Sequence, residues 1–279
     1  MNVGGAGEPG TATLEDAVTV ILVRDAPHVG ADGGRLEVLL LERHGASAFA
    51  PGALVFPGGK LDPTDAELAP ARVRCTDPEA WAERLGVADA DAAVAMLVAA
   101  VRETFEEAGI LLVREVGAEH AAPVLPADLA MTRARMAARD GAYDWRAWLA
   151  RHELVLDLDA MAMWSWWVTP QGLPRRYDTR FLVAGMPAGQ AATHDAVETT
   201  SMRWIPPAAA LAAHAEGRLH VIFPTRRTLE QLAAHRDAAS VLAAARSGAV
   251  DLRRIEPSVV RVDGAPMVQH PDGGPPAQV

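Results

Sequence analysis

Hydrophobic and polar positions along the chain follow two periods. Residues 17–24 (AVTVILVR) and 35–42 (RLEVLLLE) are runs of β-branched residues and leucine separated by a loop rich in Pro, Gly and Asp, which predicts paired strands. A short apolar run at 53–56, bracketed by Pro51-Gly52 and Pro57-Gly58-Gly59, predicts a strand that ends in a glycine loop. The stretch 62–90 reads as an insertion carrying a helix at 78–85. From Asp91 the period becomes helical: Val94, Leu97, Val98, Val101, Phe105 and Ala108 recur at i, i+3, i+4 and i+7. Asp89 or Asp91 is the expected N-cap of this helix, and Gly109 its stop. A further strand is predicted at 110–115, a largely helical insertion at 126–152, strands at 164–169, 179–185 and 201–205, and alanine-rich helices over 207–246. Alternating strands and helices predict a mixed α/β class, organised as a flexible leader (1–15), a single domain (16–262) and a loose Pro/Gly-rich tail (263–279).

Composition narrows the classes of function. The 279 residues are half apolar, enough for a sizeable core and against general disorder. A net charge of −10, from 36 acidic against 26 basic residues, excludes a global basic field, so no nucleic-acid partner is expected. The longest charge-free apolar run, 92–101, has about half of the ~20 residues a membrane span needs, so no membrane partner is expected either. The first 15 residues lack the basic and apolar regions of a signal peptide. The lone Cys75 excludes an internal disulfide and a thiolate zinc cluster and fits a reducing compartment, with the cytoplasm as the expected location. A homodimer is left open. Every basic residue except Lys60 is an arginine.

The chemistry gathers on the helix ending at Gly109. Glu103, Glu106 and Glu107 are related by i+3 and i+4 and so share one face, roughly opposite the apolar stripe. Their mutual repulsion is relieved by a hard cation such as Mg²⁺ or Mn²⁺, which takes one or two carboxylates together with substrate phosphate. Arg102 can pair with Glu106 at i+4 and orient it. Taken alone, the same pattern also describes a solvated helix face.

The company that helix keeps changes this reading. Phe56-Pro57-Gly58-Gly59, followed by Arg102-Glu103-Thr104-Phe105-Glu106-Glu107-Ala108-Gly109-Ile110, resembles the Nudix box, G…REUxEExGU, of the Nudix hydrolases. Only Thr104 departs from the second half, standing where a bulky aliphatic residue is usual. Arg102 follows Gly59 by 43 positions, far more than in an uninterrupted box, so the segment 62–90 splits the motif. The family's additional upstream glutamate falls near Asp65, to which no role is carried over. Leu40-Leu41-Glu42-Arg43, Gly52, Trp167-Val168-Thr169-Pro170 and residues 175–181 (RRYDTRF) are similar to the coenzyme A diphosphatase branch of the family. The coenzyme A signature of other branches has a second arginine where this chain has Ala48. The chain ends Ala277-Gln278-Val279, without a peroxisomal Ser-Lys-Leu type ending.

The resemblance implies a Nudix-type α/β/α sandwich around a mixed sheet with helical insertions. It also implies Mg²⁺- or Mn²⁺-dependent hydrolysis of a nucleoside diphosphate-linked small molecule. The expected substrate is coenzyme A or acyl-coenzyme A, cleaved to 3′,5′-ADP and 4′-phosphopantetheine. ADP-ribose or NADH is the alternative substrate, and a non-catalytic nucleotide-binding module the rival from another class. Glu103, Glu106 and Glu107 are the implied metal ligands. Glu103 or Glu198, from a late loop, is the implied base, and Glu106 and Arg102 complete the catalytic set. Gly58 and Gly59 would let main chain approach metal or substrate closely. Arg43, Arg175, Arg176 and Arg180 are candidates for gripping phosphate, because guanidinium forks match its oxygens. Trp164, Trp166 and Trp167 could stack a base, though aromatics alternating along a strand also describe a core. No P-loop, Gly-x-Ser-x-Gly or dinucleotide-binding Gly-x-Gly-x-x-Gly motif is present, and no histidine pair has zinc-ligand spacing.

Overall fold

The computed structural model describes residues 12–30, 33–45, 50–68, 70–117, 125–138, 143–195 and 199–278. β1 (Leu14–Asp25) and β2 (Leu36–Arg43) form the expected antiparallel pair, with Val23 opposite Val38. Alternation assigns their faces: Val18, Val20, Leu22, Leu39 and Leu41 enter one apolar cluster, while Ile21, Val23, Val38 and Leu40 enter another. Both faces are buried, so this sheet is a middle layer. Leu14 and Glu15, expected in the leader, already belong to β1, where they lie opposite Arg176 and Tyr177.

β3 (Leu54–Val55) pairs with β2, and β4 (Gly58–Lys60) pairs with β1. The expected glycine loop is therefore a strand, in which Gly58 and Gly59 lie opposite Thr19 and Val18. A 3₁₀ turn at Pro63–Glu67 leads to β5 (Val73–Arg74) and α1 (Pro78–Leu85), the helix expected within the insertion. α2 (Ala90–Ala108) begins at Asp89, whose carboxylate accepts the Ala92 N–H at 2.9 Å, and ends at Gly109 with φ 69°. Its burial is wider than the expected stripe. Ala95, Ala99 and Ala100 are buried while Val94 is only half-buried, as befits a helix packed between a sheet and further helices.

β6 (Val113–Glu115) is shorter than the predicted strand at 110–115. Leu111 just before it has its N–H and C=O held instead by the Gln190 amide, at 2.9 and 2.8 Å. The insertion at 126–152 contains α3 (Leu129–Ala137) and α4 (Trp145–Arg151), followed by β7 (Leu154–Asp157). β7 pairs with both β5 and β6, so the two insertions meet in a small second sheet.

The main sheet is completed by β8 (Met161–Val168), β9 (Arg176–Gly185) and β10 (Thr199–Ile205). After α5 (Pro207–Ala215), α6 (Phe223–Leu232) and α7 (Ala238–Ser247), β11 (Arg254–Ile255) adds an edge. Its order is β10-β2-β1-β9-β8-β11, with β1/β9 and β8/β11 parallel and the other neighbours antiparallel. α1 and α2 pack on one face and α5 to α7 on the other, the expected α/β/α sandwich.

The tail expected to be loose is instead a three-stranded sheet of β12 (Ser258–Val262), β13 (Ala265–Gln269) and β14 (Ala277–Gln278). Asp263 and Gly264, at φ 50° and 83°, make the two-residue hairpin turn that Asp-Gly favours. Val268 enters the second apolar cluster and the His270 ring meets Trp167 edge-on at 5.7 Å. Val268→Asp is expected to lower stability by about 2 kcal/mol or more, by burying an unpaired carboxylate. Thermal unfolding followed by circular dichroism reads this, and an unchanged midpoint would show that the segment does not pack.

Candidate active site

The site is built where β4 meets the C-terminal half of α2. Three consecutive residues of β4 each touch one residue of the helix. The Gly58 N–H donates to Glu107 Oε2 at 3.0 Å, Gly59 lies against the Glu103 carboxylate, and the Lys60 carbonyl accepts from Arg102 Nη2 at 3.0 Å. At Gly59 a Cβ would stand 2.5 Å from the Glu103 carboxyl carbon, so only glycine leaves that carboxylate in place. The close approach expected of these glycines is therefore made first of all to α2 itself.

Arg102 organises the charges. It forms a bidentate pair with Asp65, Nε to Oδ1 at 2.7 Å and Nη2 to Oδ2 at 2.8 Å, and Nη1 donates to Glu103 Oε1 at 2.7 Å. The expected i+4 partner Glu106 is farther away, at 3.6 Å. Burial alone would disfavour the charged guanidinium, but the hydrogen bonds to Asp65 and the charge of Glu103 outweigh it and raise its pKa above the ordinary arginine value. Asp65, to which the sequence reading gave no role, is only 3 % exposed and is the main anchor of Arg102. Its local signal was Asp62-Pro63-Thr64-Asp65, which forms a capping box with proline in the first turn. Thr104, the departure from the motif, is buried with its hydroxyl donating to the Ala100 carbonyl at 2.7 Å, so its polar atom is satisfied.

The other sequence candidates separate. Glu198 lies outside the described residues, as does Ala48; the neighbouring Asp195 accepts from the Thr199 N–H and hydroxyl at 2.9 and 2.8 Å. Arg43 ends β2 opposite Thr199 and, by alternation, falls on the α2 face with Leu39 and Leu41. Arg180 is engaged inside the fold. It is 3 % exposed, donates to the Leu85 carbonyl, Asp16 and the Asp178 carbonyl, and lies 4.5 Å over the Trp166 ring, so its donors dock α1 on the sheet. Arg176 is likewise engaged, pairing with Glu256 at 2.6 Å and donating to the Thr169 carbonyl. Arg175 is exposed and precedes β9, in which Arg180 lies level with Val18 and so with Gly59. Trp164 and Trp167 are buried, with their indole N–H groups on Gln231 and Ser165, and Trp166 donates to Asp178; these rings are core. Burial and the charge of Asp159 push the Cys75 thiol up to about 11, which removes it as a nucleophile at neutral pH.

The NUDT19 Nudix domain family matches residues 79–232, more than half of the chain. The chain belongs to this family. It is 31 % identical over 214 residues to the Gallus gallus protein named acyl-coenzyme A diphosphatase NUDT19, covering 63 % of this chain and 55 % of that one. To the Xenopus laevis protein of the same name it is 29 % identical over 235 residues, covering 70 % and 59 %. The chain thus spans between half and two thirds of the length of these relatives. The crystal structure of a Nudix hydrolase from Alicyclobacillus acidocaldarius superposes with a TM-score of 0.66 at 30 % identity, covering 83 % of this chain and 96 % of that one.

Nudix hydrolases generally need a divalent metal, and the donors around the split Nudix box fit one. Glu103, Glu106 and Glu107 offer only carboxylate oxygens, and Gly59 cradles the Glu103 carboxylate where a Cβ would displace it. Among the described residues, no three His, Cys, Asp or Glu side chains converge as a ready-made metal cage. No helix of the described residues is long and apolar enough to cross a membrane.

Asp65→Ala is expected to destabilise the protein by about 3–5 kcal/mol, because it leaves Arg102 buried without its principal partner. Asp65→Glu, which keeps the charge, is expected to recover most of that loss. Urea unfolding of the three proteins measures the difference, and equal midpoints would show that the pair does not hold the site.

Proposed function

We propose that this chain is a Nudix pyrophosphohydrolase. It uses Mg²⁺ or Mn²⁺ to cleave coenzyme A or acyl-coenzyme A to 3′,5′-ADP and (acyl-)4′-phosphopantetheine. The observation that carries the chemistry is the stitching of Gly58, Gly59 and Lys60 to Glu107, Glu103 and Arg102 across the insertion. The choice of substrate is supported by the names of the relatives and by the sequence likeness to that branch. The working unit proposed runs as one domain from Leu14 in β1 through the C-terminal sheet that packs Val268 into the core, and the proposed compartment is the cytoplasm, in keeping with a single cysteine.

A diphosphate resists attack because its charge repels nucleophiles, so the site must neutralise that charge and place a water. A bound Mg²⁺ or Mn²⁺, held by Glu103, Glu106 and Glu107, would supply charge neutralisation at the phosphates. This chain's own residues do the positioning. Arg102 fixes the Glu103 carboxylate through a 2.7 Å hydrogen bond and is itself immobilised by Asp65. The Gly58 N–H fixes one oxygen of Glu107. Glu103 is the described carboxylate proposed to take the proton from water, with Glu198 as its alternative. Arg43, on the α2 face beside β3, is proposed to meet a substrate phosphate.

Chromatography of products after incubation with Mg²⁺ and coenzyme A, acyl-coenzyme A, ADP-ribose or NADH tests the reading. Cleavage of coenzyme A or its thioesters at the diphosphate is expected, with loss of at least about 100-fold in kcat for Glu106→Gln and Glu107→Gln. Cleavage of ADP-ribose or NADH alone would overturn the substrate. No cleavage at all, or wild-type turnover in both variants, would overturn the mechanism.

A further inference from the structure

The C-terminal end of α2 carries an electrostatic problem that the Nudix box does not solve. Two of the three site carboxylates, Glu106 and Glu107, stand on the last turn of the helix, where backbone carbonyls lack partners and the macrodipole is negative. No basic residue of α2 occupies that turn. The compensating charge comes from outside, from Arg133 on α3.

Arg133 spends four hydrogen bonds there. Nε donates to the Glu106 carbonyl at 3.0 Å and Nη2 to the Glu107 carbonyl at 2.8 Å. Nη2 and Nη1 also reach the Thr193 carbonyl at 2.7 Å and its hydroxyl at 2.5 Å. The same turn receives the Thr193 N–H on the Ala108 carbonyl at 2.9 Å. Gly109 makes room for the guanidinium, since a Cβ there would stand 2.9 Å from Nη1. Arg133 is half-buried where it meets these carbonyls. Its helix is held in turn, Tyr143 donating to Thr132 at 2.6 Å and Trp148 to Asp128 at 3.1 Å.

We propose that Arg133 is a positioning residue of the site. It grips the main chain of the two residues whose carboxylates the chemistry requires, and locks them to the segment at Thr193. Four of the five guanidinium N–H donors are spent on these acceptors, so Arg133 acts through Glu106 and Glu107. A guanidinium is required because its donors diverge toward two carbonyls on α2 and one residue of another segment, which a single ammonium cannot span.

This inference rests on the Nudix pyrophosphohydrolase reading, and its test separates the two. Arg133→Ala is expected to lower kcat about 10–100-fold with KM for coenzyme A nearly unchanged, and to weaken Mn²⁺ binding, measured without substrate, by a similar factor. Arg133→Lys is expected to recover part of both. Amide hydrogen exchange at Gly109 and Thr193 is expected to quicken in the alanine variant while the rest of α2 stays protected. If the wild type cleaves nothing, Mn²⁺ affinity and exchange still decide the inference. Wild-type Mn²⁺ affinity and exchange in a folded Arg133→Ala protein would overturn it, as would wild-type kcat where the wild type is active. If that variant fails to fold, Arg133→Met, which keeps the aliphatic stem, is read the same way.

Discussion

Carboxylates concentrated on the closing turns of a buried helix are the constraint around which this molecule is arranged. Glu106 and Glu107 add negative charge on the last turn, where the helix already presents unpaired carbonyls, and Glu103 adds more one turn earlier. Arg102 and its partner Asp65 serve Glu103, the Gly58 N–H of β4 serves Glu107, and Arg133 of α3 serves the carbonyls of Glu106 and Glu107. Without these partners the helix end would be strained by like charges and by desolvated acceptors. With them, the carboxylates of Glu103 and Glu107 are each held through one oxygen.

The same contacts explain how a motif can be split and still close. Residues 62–90 lie between the glycines and the glutamates, yet Asp65 and Arg102 join the base of the excursion and the Arg102–Lys60 bond ties α2 to β4. Lengthening a loop adds only slowly to its closure entropy, so a few strong contacts at the base suffice. The excursion is also secured at its far end, where Arg180 binds the Leu85 carbonyl at the end of α1 and β5 pairs with β7. The insertion thus becomes part of the layer covering α2 rather than a loop in solvent.

What could be read in the sequence was what depends on neighbours in the chain. The extent of α2 followed from a cap at Asp89 or Asp91, the apolar period and Gly109, and the shared face of the three glutamates from helix geometry. The central strands followed from alternation, which also separates their two faces. What stayed hidden depends on pairing across distance. Arg175, Arg176 and Arg180 look alike in sequence; only the register of β9 beside β1, and the arrival of α1, turn Arg180 into a buried clasp. Gly58-Gly59 looked like a loop because its pairing partner, β1, lies forty residues upstream. Arg133 has no local signal, since its acceptors come from α2 and from residue 193. Asp263-Gly264 carries a hairpin signal, but the Pro/Gly content of 263–279 was read as a loose tail.

The nearly complete absence of lysine gains meaning from these geometries. Arg102 reaches Asp65, Glu103 and the Lys60 carbonyl at once; Arg133 reaches Glu106, Glu107 and Thr193; Arg180 reaches Leu85, Asp16 and Asp178. In each case one planar cation joins acceptors from separate elements, a task suited to five diverging donors and unsuited to an ammonium. Lys60, the single exception, makes one exposed pair with Glu15, of the kind that contributes little to stability. Arginine here is therefore first a structural cross-link. The site proposed for an anionic substrate in so acidic a protein would depend on the Arg102 and Arg133 cross-links, because these act on the residues whose carboxylates a bound cation would need in order to invert the local charge.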